Sequence, residues 1–204
     1  RTQYDTIIGP LQAMREETTA REHNQRQLTH LHPRREDLDF RRSLAVGSSS
    51  IVRLAVHRHS GRPLALKSMA KAVLVARGIT QHVVSERRVA AIIRHPFVVS
   101  FVFSYQDNRH VHLAYEAALG GELQARIEAA GHLEPTTARF YMAQVVAALC
   151  HLHELGIVHR GCTPENILLD AAGYLRLADL GFAKVKVVAK VVVAVVVKVE
   201  VEGG

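Results

Sequence analysis

The stretch His159-Arg160-Gly161-Cys162-Thr163-Pro164-Glu165-Asn166 is followed, across a short apolar segment, by Asp179-Leu180-Gly181. Between them run Ile167-Leu168-Leu169, Asp170-Ala171-Ala172-Gly173 and Tyr174-Leu175-Arg176-Leu177. Two short apolar runs on either side of a glycine-containing turn predict a hairpin. Such a hairpin would carry Asn166 and Asp179 at neighbouring strand ends. An amide oxygen beside a carboxylate suits a hard cation such as Mg²⁺, which takes oxygen ligands and accompanies phosphate groups.

Composition sets the frame for this hairpin. A chain of 204 residues holds one large domain or two small lobes and can bury a core. Its 48% hydrophobic and 22% charged content argues against a disordered polymer. The net charge of +7 invites a nucleic-acid partner. Yet the Lys and Arg are scattered, with no basic run interleaved with aromatics, so they read as a solvated basic surface. Two cysteines, Cys150 and Cys162, give no disulfide framework and fit a reducing, cytoplasmic compartment. Nothing resembles a signal peptide. A chain opening on Arg1 reads as a fragment or a processed product.

Residues 1–36 are polar and charged apart from Ile7-Ile8-Gly9-Pro10-Leu11. Residues 11–17 predict a helix with Pro10 at its first turn, and 16–32 a solvated linker. Patterning as a packed domain starts near Leu38. Residues 44–52 read as strand, small-residue loop and strand; 51–57 and 64–67 as two more strands around the turn His59-Ser60-Gly61-Arg62-Pro63. Lys67 shares a strand face with Ala65, because side chains alternate. A lysine on an inward face is costly unless paired. Its candidate partner is Glu86, in the amphipathic helical stretch 81–94. Further strands are expected at 101–103 and 111–115, followed by a glycine-punctuated connector, 116–123, that enters a helix. Tyr141, Val145, Leu149 and Leu152 mark one buried face of a helix after Pro135. Cys150, His151 and His153 are metal-ligating types, but one helical turn cannot aim all three at one ion. They read as core and surface residues. No internal repeat is present.

From 37 to 184 the chain resembles the Ser/Thr protein kinases of the cyclic-nucleotide-dependent branch. The opening stretch matches H-R-D-x-x-x-x-N and D-F-G, and Ala45-Val46-Gly47-Ser48-Ser49-Ser50-Ile51-Val52 matches G-x-G-x-x-G-x-V. Six landmarks fall in family order: Gly47, Lys67, Glu86, Glu122, Asn166 and Asp179. Glu116-Ala117-Ala118-Leu119-Gly120-Gly121-Glu122-Leu123, Glu134-Pro135-Thr136-Thr137 and Gly181-Phe182-Ala183-Lys184 look most like the cGMP-dependent kinases. The resemblance implies an α+β, two-lobe kinase fold. A complete small lobe would span 37–118, and a large lobe 119–184, cut after the hairpin. Residues 1–36 would be a linker or the end of a cyclic-nucleotide-binding domain, and cyclic nucleotide would act only through a domain outside this chain. ATP and Mg²⁺ are the implied cofactors. Lys67, paired with Glu86, would hold the α- and β-phosphates, while Asn166 and Asp179 would hold the metal. Ala45, Val46, Gly47 and Ser48 would cover the phosphates, and Val52, Ala65 and Leu168 would close around adenine. Tyr115 would be the gatekeeper, Glu116 and Ala118 would line the adenine edge, and Glu122 would meet the ribose. Arg160 belongs to the catalytic loop. Ala90, Phe101, His159 and Leu180 match the family's other apolar spine. Glu122 and Glu165 match carboxylates that receive arginines of basic Ser/Thr substrates.

The departures carry as much weight. Gly161 stands where the family has the catalytic Asp that accepts the substrate proton, a contribution of roughly 10²–10⁴ in rate. Thr163 stands where this branch has a lysine that neutralises the transferring phosphoryl group. Ala45 and Ser50 replace glycines and would crowd the phosphates. Leu180 replaces Phe and largely keeps its apolar shape. The resemblance ends at Lys184, without the family's activation segment or later helices. Residues 185–204 are a Val/Lys-rich low-complexity tail that reads as an artefact of a gene end. Lys186, Lys190 and Lys198 interrupt any transmembrane span, and 191–197 would be aggregation-prone if exposed. The expectation is a kinase with impaired catalysis, the alternatives being a pseudokinase binding module or a non-functional truncated product. Cys162, beside Arg160, is expected either to have a lowered thiol pKa or to be inert.

Overall fold

The computed structural model describes residues 35–185. A single 3₁₀ turn, Arg35–Asp37, leads into β1 (Leu38–Val46), which Gly47 and two serines connect to β2 (Ser50–His57). Then come β3 (Pro63–Ala70), α1 (Lys71–Ala76), α2 (Thr80–Ile92), β4 (Phe101–Gln106) and β5 (His110–Glu116). The five strands form one antiparallel sheet in the order β1-β2-β3-β5-β4.

Alternation along β3 explains the two sides of this sheet. Leu64 and Leu66 point into a small core with Leu38, Ala55, Val102, Phe103 and Ala114. Met69, on the other face with Ala65 and Lys67, joins the main core beneath α2. Each such leucine, fully buried, stabilises by roughly 1.5–3 kcal/mol. The helix α2 contributes Val83, Glu86, Val89 and Ala90 to the buried side, so an acidic residue occupies an otherwise apolar stripe.

The second lobe begins with α3 (Leu123–Ala130) and α4 (Pro135–Glu154). Proline at the first turn of α4 loses no helical hydrogen bond there. Tyr141, Val145, Ala148 and Leu152 are its buried apolar residues, with Leu149 packed beside them. Gln144 shares that buried face, and sequence reasoning passed over it. Its Oε1 accepts the Leu175 N–H at 2.9 Å and its Nε2 donates to the Phe140 carbonyl at 3.2 Å. The predicted hairpin forms from β7 (Ile167–Leu169) and β8 (Leu175–Leu177). Asp170 Oδ1 accepts the N–H groups of Ala172 and Tyr174, both at 3.0 Å, and Gly173 takes the left-handed φ of 84°. Two features were not foreseen: α1, and the pairing of β6 (Ile157–Val158) with β9 (Lys184–Val185).

Backbone bonds join the lobes. Leu177 N–H donates to the Phe97 carbonyl at 2.8 Å and Val99 N–H to Leu177 at 3.0 Å. Arg176 donates to the Pro96 carbonyl and pairs with Asp170 at 2.8 Å. The connector is stitched to β7 by Gly120 N–H to Leu169 O (2.7 Å) and Leu169 N–H to Gly121 O (2.8 Å). A Cβ on Gly120 would lie 2.5 Å from the Asp170 carbonyl oxygen, so only glycine fits. No helix among the described residues is long and apolar enough to cross a membrane. The expected helix at 11–17 and the tail beyond Val185 lie outside the described residues.

Burial favours the neutral imidazole at several histidines of this framework. Burial lowers the pKa of His57, His95 and His159. His95 falls to about 4, because burial is joined by the stacked His151 ring at 5.0 Å and by Arg176. Unfolded imidazoles take up protons near pH 6.5. The unfolded state therefore binds more protons, and stability that is complete above about 6.5 is lost as pH falls towards about 4. The thermal midpoint should drop across that window, and His95→Gln should flatten the slope. A slope unchanged in the variant would contradict this account.

Candidate active site

The lysine and glutamate paired on sequence grounds meet. Lys67 Nζ on β3 donates to Glu86 Oε1 on α2 at 2.8 Å and to Asp179 Oδ1 at 3.1 Å. Glu86 is only 4% exposed. Burial alone would lower the Lys67 pKa, but attraction to Glu86 and then Asp179 outweighs it and raises it. Tyr115, on β5, donates its hydroxyl to the same Glu86 Oε1 at 3.1 Å. Burial, with Glu86 beside it, pushes this phenol well above its ordinary range and keeps it a donor. Gly181 packs against the cluster: a Cβ there would lie 3.1 Å from Asp179 Oδ1, 3.4 Å from Glu86 Oε2 and 3.6 Å from Lys67 Nζ.

The loop before β7 is held from several sides. His159 is 1% exposed. Its Nε2 donates to the Ala178 carbonyl at 3.0 Å, while Nδ1 accepts the Gly161 N–H at 3.2 Å. Arg160, at a left-handed φ of 62°, donates from Nε to the Phe182 carbonyl at 2.8 Å. Asp179 is likewise left-handed, φ 55°. Each such non-glycine residue costs on the order of 1–3 kcal/mol and persists where its surroundings over-determine it. Asn166 Nδ2 donates to the Gly161 carbonyl at 2.9 Å, and Ala178 N–H donates to the Asn166 carbonyl at 2.8 Å. The hairpin thus brings Asn166 and Asp179 to one end. The amide nitrogen of Asn166 is spent on the loop, so its oxygen is the ligand atom on offer. Asp179 uses Oδ1 for Lys67 and for the Gly181 N–H at 3.3 Å. An amide and a carboxylate, without sulfur or imidazole, fit Mg²⁺.

The remaining residues surround this centre less tightly. Ala45, Val46, Gly47 and Ser48 are exposed on the β1–β2 turn, which Gly47 N–H closes on the Ser50 carbonyl at 2.8 Å. Val52 pairs in register with Lys67, and Ala65 with Tyr115. Val52, Ala65 and Leu168 are all half-buried. Glu116 forms an ion pair with Arg62, and Ala118 follows in the half-buried connector. Glu122 pairs backbone-to-backbone with Leu168 and makes no capping bond to α3. Thr163 is exposed and its N–H donates to the Gly161 carbonyl at 3.0 Å. Ala90, Phe101, His159 and Leu180 are all buried. The lowered thiol pKa at Cys162 is a misreading. Desolvation raises it, and the guanidinium of Arg160 reaches the Phe182 carbonyl instead.

Sequence reasoning gave Tyr115 a place by resemblance but not its bond to Glu86, which depends on β5 and α2 meeting in space. Removing one member of a buried ion pair leaves the other uncompensated, typically about 3–5 kcal/mol. Glu86→Gln should therefore destabilise by about 3 kcal/mol, since Asp179 still serves Lys67. Tyr115→Phe should cost roughly 1.5 kcal/mol, a hydrogen bond to a charged group. Urea unfolding measures both; a Glu86→Gln variant as stable as wild type would contradict the pairing.

The family model for the protein kinase domain matches residues 38–198, past Lys184 into the Val-rich stretch. The chain is similar to cGMP-dependent protein kinase 2 of Homo sapiens, 37% identical over 149 residues, which is 73% of this chain and 20% of that protein. It is also similar to a cAMP-dependent protein kinase catalytic subunit of Arthrobotrys oligospora, 35% over 149 residues, 73% of this chain and 29% of that one. With 3-phosphoinositide-dependent protein kinase 1 of Arabidopsis thaliana it shares 38% over 148 residues, 72% of the chain and 30% of the relative. The chain spans less than a third of the length of these curated relatives. The family match and the assembled lysine, glutamate and aspartate agree: this chain belongs to the protein kinase domain family.

Proposed function

We propose that the site binds ATP with Mg²⁺ and descends from a Ser/Thr kinase of cGMP-dependent type, with phosphoryl transfer impaired at Gly161. The observation that carries this is Lys67 held at 2.8 Å from Glu86 and 3.1 Å from Asp179. A buried lysine kept charged by two carboxylates is built to meet a polyanion. Glu86, braced by Tyr115, would hold Lys67 for the α- and β-phosphates. Asn166 and Asp179 would hold the cation. Mg²⁺, when bound, supplies charge neutralisation on the phosphates. Val52, Ala65 and Leu168 enclose adenine, with Glu116 and Ala118 along its edge and Glu122 near the ribose. Glu165 is kept anionic, its pKa lowered by its own backbone N–H and the Thr163 side chain. It is thereby suited, with Glu122, to arginines of a basic Ser/Thr substrate. The two free, exposed cysteines fit a reducing, cytoplasmic setting.

No carboxylate occupies position 161 to take the hydroxyl proton, and that favours a second reading, a nucleotide-binding pseudokinase. The loop has room for the missing group. A Cβ on Gly161 would meet Phe182 Cδ2 at 3.5 Å and Asn166 Nδ2 at 3.7 Å, ordinary contacts without a left-handed φ. Gly161→Asp with Thr163→Lys should therefore fold and raise phosphorylation of a basic Ser/Thr peptide by about two decades, the low end of general-base catalysis. Transfer of labelled γ-phosphate measures it. Equal, measurable rates in both proteins would show that Gly161 is not the defect. Transfer by neither, with ATP still bound, would favour the pseudokinase.

A further inference from the structure

On the sheet face opposite Lys67, the turn between β4 and β5 gathers three metal-binding side chains. We propose that Asp107, His110 and His112 form a site for a divalent transition-metal ion of the Zn²⁺ type, separate from the active site. One ligand atom from each lies within 4.8 Å of the other two. His112 Nε2 is 3.1 Å from Asp107 Oδ2, and His110 Nδ1 is 3.6 Å from Asp107 Oδ1. Donors bound tetrahedrally to Zn²⁺ lie roughly 3.3–3.6 Å apart, so only small side-chain rotations separate this arrangement from coordination.

The donors are held in place. Asp107 Oδ1 accepts the N–H groups of Arg109 and His110, both at 2.7 Å, and Asp107 N–H donates to the His110 carbonyl at 3.0 Å. His112 is 7% exposed and fixed from two strands. The Tyr105 ring stacks on it at 4.4 Å, and Ser68 Oγ, in register on β3, meets its Nδ1 at 2.9 Å. A hydroxyl on the far nitrogen orients a metal-binding imidazole. Binding at Nε2 leaves the ring proton on Nδ1, where it is donated to Ser68. Two imidazoles and one carboxylate select Zn²⁺, Co²⁺, Ni²⁺ or Cu²⁺ over Mg²⁺ or Ca²⁺. Asp107 and His110 are partly exposed at the rim, with side-chain exposures of 40% and 42%, which leaves coordination positions for water. A bound ion would clamp the β4–β5 turn, which β3 already braces through Ser68.

The test is titration of the metal-free protein with Zn²⁺ by calorimetry and with Co²⁺ by visible absorption. The chain has 13 histidines, so the site is read by difference. Asp107→Asn keeps an oxygen for the two turn N–H groups, and His110→Gln changes a side chain at the rim; both should fold. Wild type should bind one more equivalent of Zn²⁺ than either variant, or bind it at least about tenfold more tightly. Zn²⁺ should raise the wild-type thermal midpoint more than it raises either variant's, and Mg²⁺ should not reproduce that difference. Identical stoichiometry, affinity and Zn²⁺-induced shift in all three proteins would overturn the site, as would a shift given equally by Mg²⁺.

Discussion

A charged lysine in the interior needs counter-charge, and much of this domain is arranged around supplying it to Lys67. The strand β3 places it on the face that the main core covers. The helix α2 answers with Glu86, and the hairpin β7–β8 delivers Asp179. Neither carboxylate is nearby in sequence, so the ion cluster forms only when the sheet, the helix and the hairpin have docked. Tyr115 on the neighbouring strand gives Glu86 a further bond. Gly181 leaves the space that the three side chains fill. Burial makes the cluster demanding, since Glu86 is the member most removed from water and depends on Lys67 for its counter-charge.

The same logic tells which features could be read from the sequence. Lys67 and Glu86 stand out because each interrupts an apolar pattern, and an interruption of that kind requires a partner. The β7–β8 hairpin was legible from its turn chemistry, because Asp170 and Gly173 are what a tight reversal needs. Less legible were contacts created only by distant elements. The phenol of Tyr115 on Glu86, the pairing of Ile157–Val158 with Lys184–Val185 and the bond from Gln144 to Leu175 leave no periodic trace. Gln144 did leave one sign, a polar residue within the buried stripe of α4. Of the two readings of Cys162, the lowered thiol pKa rested on sequence adjacency to a cation that the fold turns elsewhere. The left-handed backbone of Arg160 is part of a geometry that carries its guanidinium to the Phe182 carbonyl.

Backbone strain concentrates in the loop before β7 and at Asp179. Arg160 and Asp179 keep left-handed backbones that cost energy, and bonds from His159, Asn166 and Phe182 hold the loop about them. Between these fixed points sits Gly161, where an added Cβ would make only ordinary van der Waals contacts. The loop is thus held on both sides of the position where the proposed function places the impairment. On the proposed function, a protein kinase domain built this way would keep the residues for a nucleotide while lacking the group that takes the substrate proton.

The central claim is that the Lys67 cluster is a nucleotide site and not a structural ion pair alone. Calorimetric titration of ATP into the folded protein, with and without Mg²⁺, and into Lys67→Ala, tests it most directly. The account predicts Mg²⁺-dependent binding that Lys67→Ala loses while remaining folded. Absence of ATP binding by the folded wild type, or equal affinity in the variant, would contradict it.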